Sequence, residues 1–148
     1  MKYTKEDLLN LLELRTNLEH YCYERCINSA TTEEVNKLYE FIEKFQKLNR
    51  KEKIKKHNQA DINFHNMLGD IAKIPRLPKY INEIQILMLA ARANLKNSPR
   101  VNEIIDSSWE MHYSIVKAIE LKNSESVKAL VDEHMNLVKE TQIFSLDS

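Results

Sequence analysis

The sequence predicts an all-α protein, an antiparallel bundle of six to seven helices in a single domain. The 148 residues include one Gly and three Pro, too few chain breakers for the many tight turns of a β-sandwich or barrel. Apolar residues recur at helical spacing along most of the chain. Capping residues and prolines divide it into six segments with short connections, so neighbouring helices should run antiparallel.

Capping residues and apolar stripes define the first two helices. The first is predicted to run from Thr4, with Asp7 as partner in a capping box, to about Asn28. The second begins after Thr31 or Thr32, with acidic residues in its first turn. Their inward faces carry Leu8, Leu11, Leu12, Arg15, Leu18, Glu19 and Cys22 in the first helix and Val35, Leu38, Phe41, Ile42 and Phe45 in the second.

Four further helices follow the same rules. They are predicted at about Arg50–Ala72, Lys79–Lys96, Pro99–Leu121 and, from the Asn123-Ser124 cap, to roughly Thr141. Pro75 and Pro78 mark the break before the fourth helix. Ser98 is the predicted N-cap of the fifth helix, with Pro99 at its first helical position.

Composition narrows the class of function. The 22 basic and 22 acidic residues cancel, whereas a nucleic-acid-binding domain usually carries a basic surplus. The longest purely apolar run, residues 86–91, is far too short to cross a bilayer, so no membrane partner is expected. The first residues are polar and predict no signal peptide, which favours a cytoplasmic location. Cys22 and Cys26, four apart, are predicted to be packing residues without a disulfide.

Asp61, His65, His112 and His134 indicate a buried metal site. Asp61 and His65 are four apart and share one face of the third helix, while His112 and His134 lie among apolar residues on the fifth and sixth. A divalent cation would neutralise the carboxylate and accept a lone pair from each neutral imidazole, which removes the cost of burying them. Zinc suits this set best, and Ni, Fe, Co or Mn also fit. The alternative is a metal-free network of hydrogen bonds between Asp and His.

Four sequence elements occur in a defined order. They are Leu11–Glu19 with Glu-x-Arg-x-x-x-Glu, Asp61–His65 with Asp-x-x-Phe-His, Glu110–Ile119 with Glu-x-His-x-x-Ile-x-x-Ala-Ile, and Ala129–His134 with Ala-x-x-x-x-His. Together they resemble the FadR C-terminal domain (FCD) of GntR-family transcriptional regulators. The resemblance covers about residues 5–141. One domain over residues 1–148, with a tail at 142–148, is therefore expected.

The resemblance implies a site in addition to a fold. The family domain is an antiparallel helical bundle that binds a small effector, often an organic or sugar acid, and forms homodimers. In metal-containing members, the positions of the four predicted ligands hold the ion. The position of Arg15 faces the same cavity, where a guanidinium could pair with an effector carboxylate. The alternative for Arg15 is a surface or interhelical salt bridge with Glu19, and Arg92 is a weaker effector candidate.

The resemblance implies a ligand-sensing and dimerisation domain and no enzymatic activity. Family regulators bind DNA through an N-terminal winged helix-turn-helix domain, whereas this chain opens on the bundle, so a fragment and a free-standing domain are both expected possibilities. The competing class is a stand-alone metal-binding bundle with hydrolase-like or lyase-like activity, since a metal with an open position activates water. Against it, no general base is evident near the four ligands. Glu110 and Glu133 flank the histidines in sequence but belong to other helix faces. A third hypothesis is a helical bundle that binds no metal and serves only for interaction with other proteins.

Overall fold

The structure, a computed structural model, describes residues 4–74, 76–92 and 99–140, without the side chains of residues 78, 85 and 88–92. All regular structure in these ranges is helical. The helices are α1 (Lys5–Ser29), α2 (Thr32–Gln46), α3 (Arg50–Ala72), α4 (Leu77–Arg92), α5 (Val101–Glu120) and α6 (Ser124–Val138). The predicted all-α class is confirmed, and the described helices are the six that the sequence predicts.

Capping boxes define the starts of α1 and α2. The Asp7 N–H donates to the Thr4 hydroxyl at 3.1 Å, and the Thr4 N–H donates to the Asp7 carboxylate at 2.8 Å. Thr31 and Glu34 make the same reciprocal pair at 3.0 and 3.1 Å. Each box satisfies two backbone donors that the helix itself leaves free.

The capping box of α2 gives a prediction for stability. We expect Thr31→Ala to lower the free energy of unfolding by about 1 kcal/mol, because the Glu34 N–H loses its acceptor. Thr32→Ala, one residue later on the exposed side of the first turn, is the matched control. Urea denaturation of both variants measures the difference, and equal midpoints would show that the cap contributes nothing.

The fifth helix begins later than predicted. Pro99 and Arg100 lie in a turn, and α5 begins at Val101. The reason is local, since the Arg100 carbonyl accepts the first helical hydrogen bond, from the Ile104 N–H at 2.9 Å. The predicted cap Ser98 lies outside the described residues.

The predicted ends of two other helices also fall outside the described part of the chain. The fourth helix begins at Leu77 rather than Lys79 and is described as far as Arg92, short of its predicted end at Lys96. The sixth is described to Val138, with a π turn at residues 139–140, and its predicted end at Thr141 is not described.

Three long helices form the centre of the bundle. Helix α1 contacts α3, α4, α5 and α6; α3 contacts α1, α2, α4 and α5; and α5 contacts α1, α2, α3 and α6. The pairs α2/α3, α3/α4 and α5/α6 are in contact across short loops and so run antiparallel. Cys22 and Cys26 are buried in this core without a disulfide, as predicted. Among the described residues, no helix is long and apolar enough to span a membrane.

Candidate metal centre

Three of the predicted ligands meet in the core. Asp61 and His65 project from one face of α3, and His112 projects from α5. The Asp61 Oδ1 atom lies 2.8 Å from His112 Nε2 and 3.6 Å from His65 Nε2. None of the three residues is more than 2% exposed. We refer to Asp61, His65 and His112 as the ligand cluster.

The separations within the ligand cluster suit a metal ion. One ligand atom from each residue lies within 4.8 Å of the others. Ligand atoms bound at about 2.0–2.2 Å to a tetrahedral ion are about 3.3–3.6 Å apart. The separation of 3.6 Å lies in this range, whereas 2.8 Å is the length of a hydrogen bond between Asp61 and His112, the contact expected of a metal-free network. His65 Nε2 has no hydrogen-bond partner, so its lone pair is available to a cation.

His134 lies beside the ligand cluster. Its ring centroid is 5.2 Å from that of His112, but its nitrogens do not belong to the group of ligand atoms within 4.8 Å. The residue is 3% exposed, and neither ring nitrogen has a hydrogen-bond partner. A buried imidazole with both nitrogens unsatisfied is unusual in a native core. His134 therefore stays a predicted ligand whose position is adjacent to the other three.

Arg15 and Glu19 of α1 complete the site. The Arg15 Nε donates to Glu19 Oε1 at 3.2 Å, and its Nη2 lies 3.9 Å from Asp61 Oδ2. The same Glu19 oxygen lies 3.3 Å from His65 Nδ1. Glu19 thus joins a guanidinium and an imidazole, and an acceptor at Nδ1 favours the tautomer of His65 whose Nε2 lone pair points to the ligand cluster.

Sequence reasoning placed Arg15 in the cavity but missed the contribution of Glu19. The alternative salt bridge between Arg15 and Glu19 does form, yet it is buried, with side-chain exposures of 0% and 1%. The signal was present in the apolar stripe of the first helix, where positions 15 and 19 share a face with Leu12 and Cys22. Charged residues on an apolar stripe indicate a paired buried site.

Burial keeps the imidazoles of His65 and His134 neutral. Removal from water lowers the pKa of His65 to about 4, in spite of the attraction of Glu19 and Asp61. Burial also lowers the pKa of His134 well below its ordinary value, and the charge of Arg15 adds to this. A neutral imidazole is the form that binds a metal. For Arg15, burial acts to lower the pKa, but the two carboxylates together outweigh it and raise the pKa, so the guanidinium stays charged.

Aromatic rings enclose His112. Phe64 stacks on its imidazole at a centroid distance of 4.5 Å, and Trp109 meets it edge-on at 5.1 Å. The Trp109 indole N–H donates to His57 Nδ1 at 3.0 Å, which fixes the orientation of the indole. Trp109 is the one tryptophan of the sequence. Its fluorescence should therefore report an ion bound at His112.

The other predicted residues lie away from the ligand cluster or have side chains outside the described part of the chain. Glu110 and Glu133 are exposed and line a groove on the outer surface between α5 and α6, so they belong to other helix faces, as predicted. Arg92 is the last residue of α4, and its side chain lies outside the described part of the chain.

A known protein family matches most of the chain. The sequence profile of the FCD domain family matches residues 10–137. The chain belongs to the FCD family. This confirms the resemblance to the FCD domain that the four sequence elements indicate.

Solved structures share the FCD fold. McbR/YncC of E. coli has a TM-score of 0.85 at 17% identity, covering 98% of this chain and 68% of that one. A GntR of Streptococcus agalactiae has a TM-score of 0.71 at 23% identity, covering 95% of this chain and 62% of that one. The chain thus spans about two thirds of the length of these structures, and at such identities the likeness shows the fold alone. No curated protein matches the sequence significantly.

Proposed function

We propose that this FCD domain senses a small carboxylate effector, an organic or sugar acid, next to a bound divalent metal. The metal ligands are Asp61, His65, His112 and His134, and Arg15 binds the effector carboxylate. One observation carries the proposal: a fully buried guanidinium has no hydrogen-bond partner at either terminal nitrogen and lies against a group of metal-ligating atoms.

Unsatisfied polar atoms concentrate at this place. Among the described residues, seven buried side-chain atoms without a hydrogen-bond partner belong to it: Arg15 Nη1 and Nη2, Glu19 Oε2, His65 Nε2, His112 Nδ1, and both ring nitrogens of His134. Native cores pair almost all such atoms. A metal takes imidazole lone pairs and a carboxylate takes guanidinium N–H groups, so the two ligands together account for most of the set. Zinc is the best fit, and Ni, Fe, Co and Mn accept the same ligand types.

The proposed regulation rests on differential binding. An effector that prefers one arrangement of the two bundles of a homodimer shifts the equilibrium toward that arrangement. DNA contacts in such a regulator come from a winged helix-turn-helix domain, because this bundle has zero net charge and no basic surplus to offer phosphates. A protein of this function works in the cytoplasm.

One observation favours a catalytic alternative, a metal-dependent hydrolase or lyase. The buried Glu19 carboxylate lies near the ligand cluster, where a general base would have to be. Its Oε1 atom, however, already contacts both Arg15 and His65, so that oxygen is engaged in an ion pair and a contact with the imidazole. The sensor is therefore the function that we propose, and turnover of a bound effector is the outcome that would favour the enzyme.

The first test is metal analysis of protein purified without chelator or nickel resin. We expect about one divalent ion per chain and a lower melting temperature after EDTA treatment. Thermal-shift screening of the metal-loaded protein with organic and sugar acids then addresses the effector. Protein without an ion whose stability ignores EDTA would contradict the metal site.

The second test concerns Arg15. Arg15→Lys keeps the charge but removes the two-nitrogen fork, so we expect the affinity for an effector acid to fall about tenfold with metal content unchanged. Arg25→Gln, at an exposed position of the same helix, is the control and should leave the affinity as it is. Equal affinities of wild type and Arg15→Lys would remove Arg15 from the effector site.

A further inference from the structure

We propose that Glu19 makes the site selective for an effector with a single negative charge, a monocarboxylate rather than a dicarboxylate. The inference rests on the proposed function and narrows its effector class. The inference has two grounds. One is the balance of charges among the described side chains of the site, and the other is that Arg15 Nη1 and Nη2 have no hydrogen-bond partner.

The buried charges are unequal in number. The Arg15 guanidinium lies 3.2 Å from a Glu19 oxygen and 3.9 Å from an Asp61 oxygen, and these side chains are at most 3% exposed. Two carboxylates thus face one cation, and imidazoles bind a metal in the neutral form and so add no charge. Tyr23 and Cys22, which are buried near Glu19, also stay uncharged, since burial raises the pKa of Tyr23 and since a hydrogen bond with Cys26, together with burial, raises the pKa of Cys22. The metal-free site therefore has an excess of one negative charge.

A divalent cation reverses this excess. With the metal bound, the site carries one uncompensated positive charge, which is costly away from water. One negative charge from the effector restores balance, whereas two would leave the buried site negative again. Without Glu19, the same site would have room for two negative charges. Glu19 thus supplies the negative charge that the second carboxylate of a diacid would otherwise supply.

The geometry of Arg15 leads to the same conclusion. Its Nε is taken by Glu19, while Nη1 and Nη2 have no hydrogen-bond partner. Those two nitrogens form one edge of the guanidinium, which matches a single carboxylate in a bidentate pair. The Nε edge would serve a second carboxylate only if Glu19 were absent. The unpartnered and buried Glu19 Oε2 would repel a second carboxylate close by.

The test compares acids that differ in charge at constant chain length. Zinc-loaded protein is titrated by calorimetry with butyrate and succinate, 2-hydroxybutyrate and malate, and hexanoate and adipate. In each pair of acids that binds, we expect the monoanion to bind at least about tenfold more tightly than the dianion. Trp109 fluorescence, 5.1 Å from the His112 ring, provides a second readout.

Glu19→Gln should shift the preference toward the dianion. Glutamine keeps the shape and an oxygen that accepts from His65 Nδ1–H, but it removes one negative charge, so the ratio should move at least about tenfold toward the dianion. Glu19→Asp keeps the charge and should keep the wild-type preference. Glu13→Gln, exposed on the same helix, is the matched control.

The outcomes separate the two proposals. Wild-type protein that binds no zinc would refute the proposed metal function itself. Zinc-loaded protein that binds succinate as tightly as butyrate, or a Glu19→Gln ratio equal to the wild-type ratio, would overturn the role of Glu19 while the metal site stands. Failure of every acid to bind the zinc-loaded protein would contradict the proposed sensing of a carboxylate and, with it, the role of Glu19. If Glu19→Gln does not fold, the wild-type ratios and Glu19→Asp decide.

Discussion

Asp61→Asn is expected to lower the affinity for zinc by more than about 100-fold. This is more than is lost when a residue that only hydrogen-bonds to a metal ligand is replaced. Asp61 supplies the one carboxylate of the ligand cluster, and its Oδ1 lies 2.8 and 3.6 Å from the two imidazole nitrogens. An amide is a weak zinc ligand and leaves the charge of the ion uncompensated in a buried site. Chelator competition, followed by Trp109 fluorescence, measures the affinity.

Asp70→Asn is the matched control for Asp61→Asn. It makes the same substitution on the same helix at an exposed position, so zinc affinity should not change. Circular dichroism of the metal-free Asp61→Asn variant checks that its helices remain. A folded Asp61→Asn protein that binds zinc like the wild type would show that the ligand cluster holds no metal.

Metal-free protein is expected to lose stability as the pH falls from about 6.5 toward 4. Burial lowers the pKa of His65 from 6.5 to about 4, so in this interval the unfolded chain binds a proton that the folded chain does not. Stability is therefore complete above the unfolded pKa and is lost as the pH falls toward the folded one. For His65 the loss amounts to about 3 kcal/mol over the interval, and His134 acts in the same direction.

Urea denaturation in EDTA between pH 7.5 and 5 measures this dependence, above the range where carboxylates titrate. His65→Gln and His134→Gln should each flatten the curve, because each removes one group that binds protons only after unfolding. The double variant should have a smaller pH dependence than either single variant. A wild-type unfolding free energy that stays constant between pH 7.5 and 5 would contradict the buried neutral state of both imidazoles.

Some of the site could be predicted because it is local. Asp61 and His65 share a face at a spacing of four residues in any helix, which allows their side chains to meet, here with 3.6 Å between Asp61 Oδ1 and His65 Nε2. The capping boxes of α1 and α2 are likewise short sequence signals with one geometric solution. The family membership followed from four such elements taken in order.

Other parts could not be predicted, because the same spacing occurs in different surroundings. Arg15 and Glu19 are a pair at a spacing of four residues that usually lies on the surface, and the spacing is identical when the pair is buried. Arg15 lies at the ligand cluster, in contact with Asp61 of another helix, which its position along α1 does not by itself predict. Pro99 was assigned to a helix that begins only at Val101, since a proline suits a turn as well as a first helical position.

The helical class, the order of the helices, the family and the shared face of Asp61 and His65 all follow from the amino-acid sequence. These depend on periodicity and capping, which act over one or two turns of chain. Helix packing, in contrast, brings His112 within 2.8 Å of Asp61, leaves His134 beside the ligand cluster, and places Glu19 between Arg15 and His65. Distances between side chains on different helices depend on crossing angle and axial offset, which are set by the packing of the whole core and not by spacing along one helix.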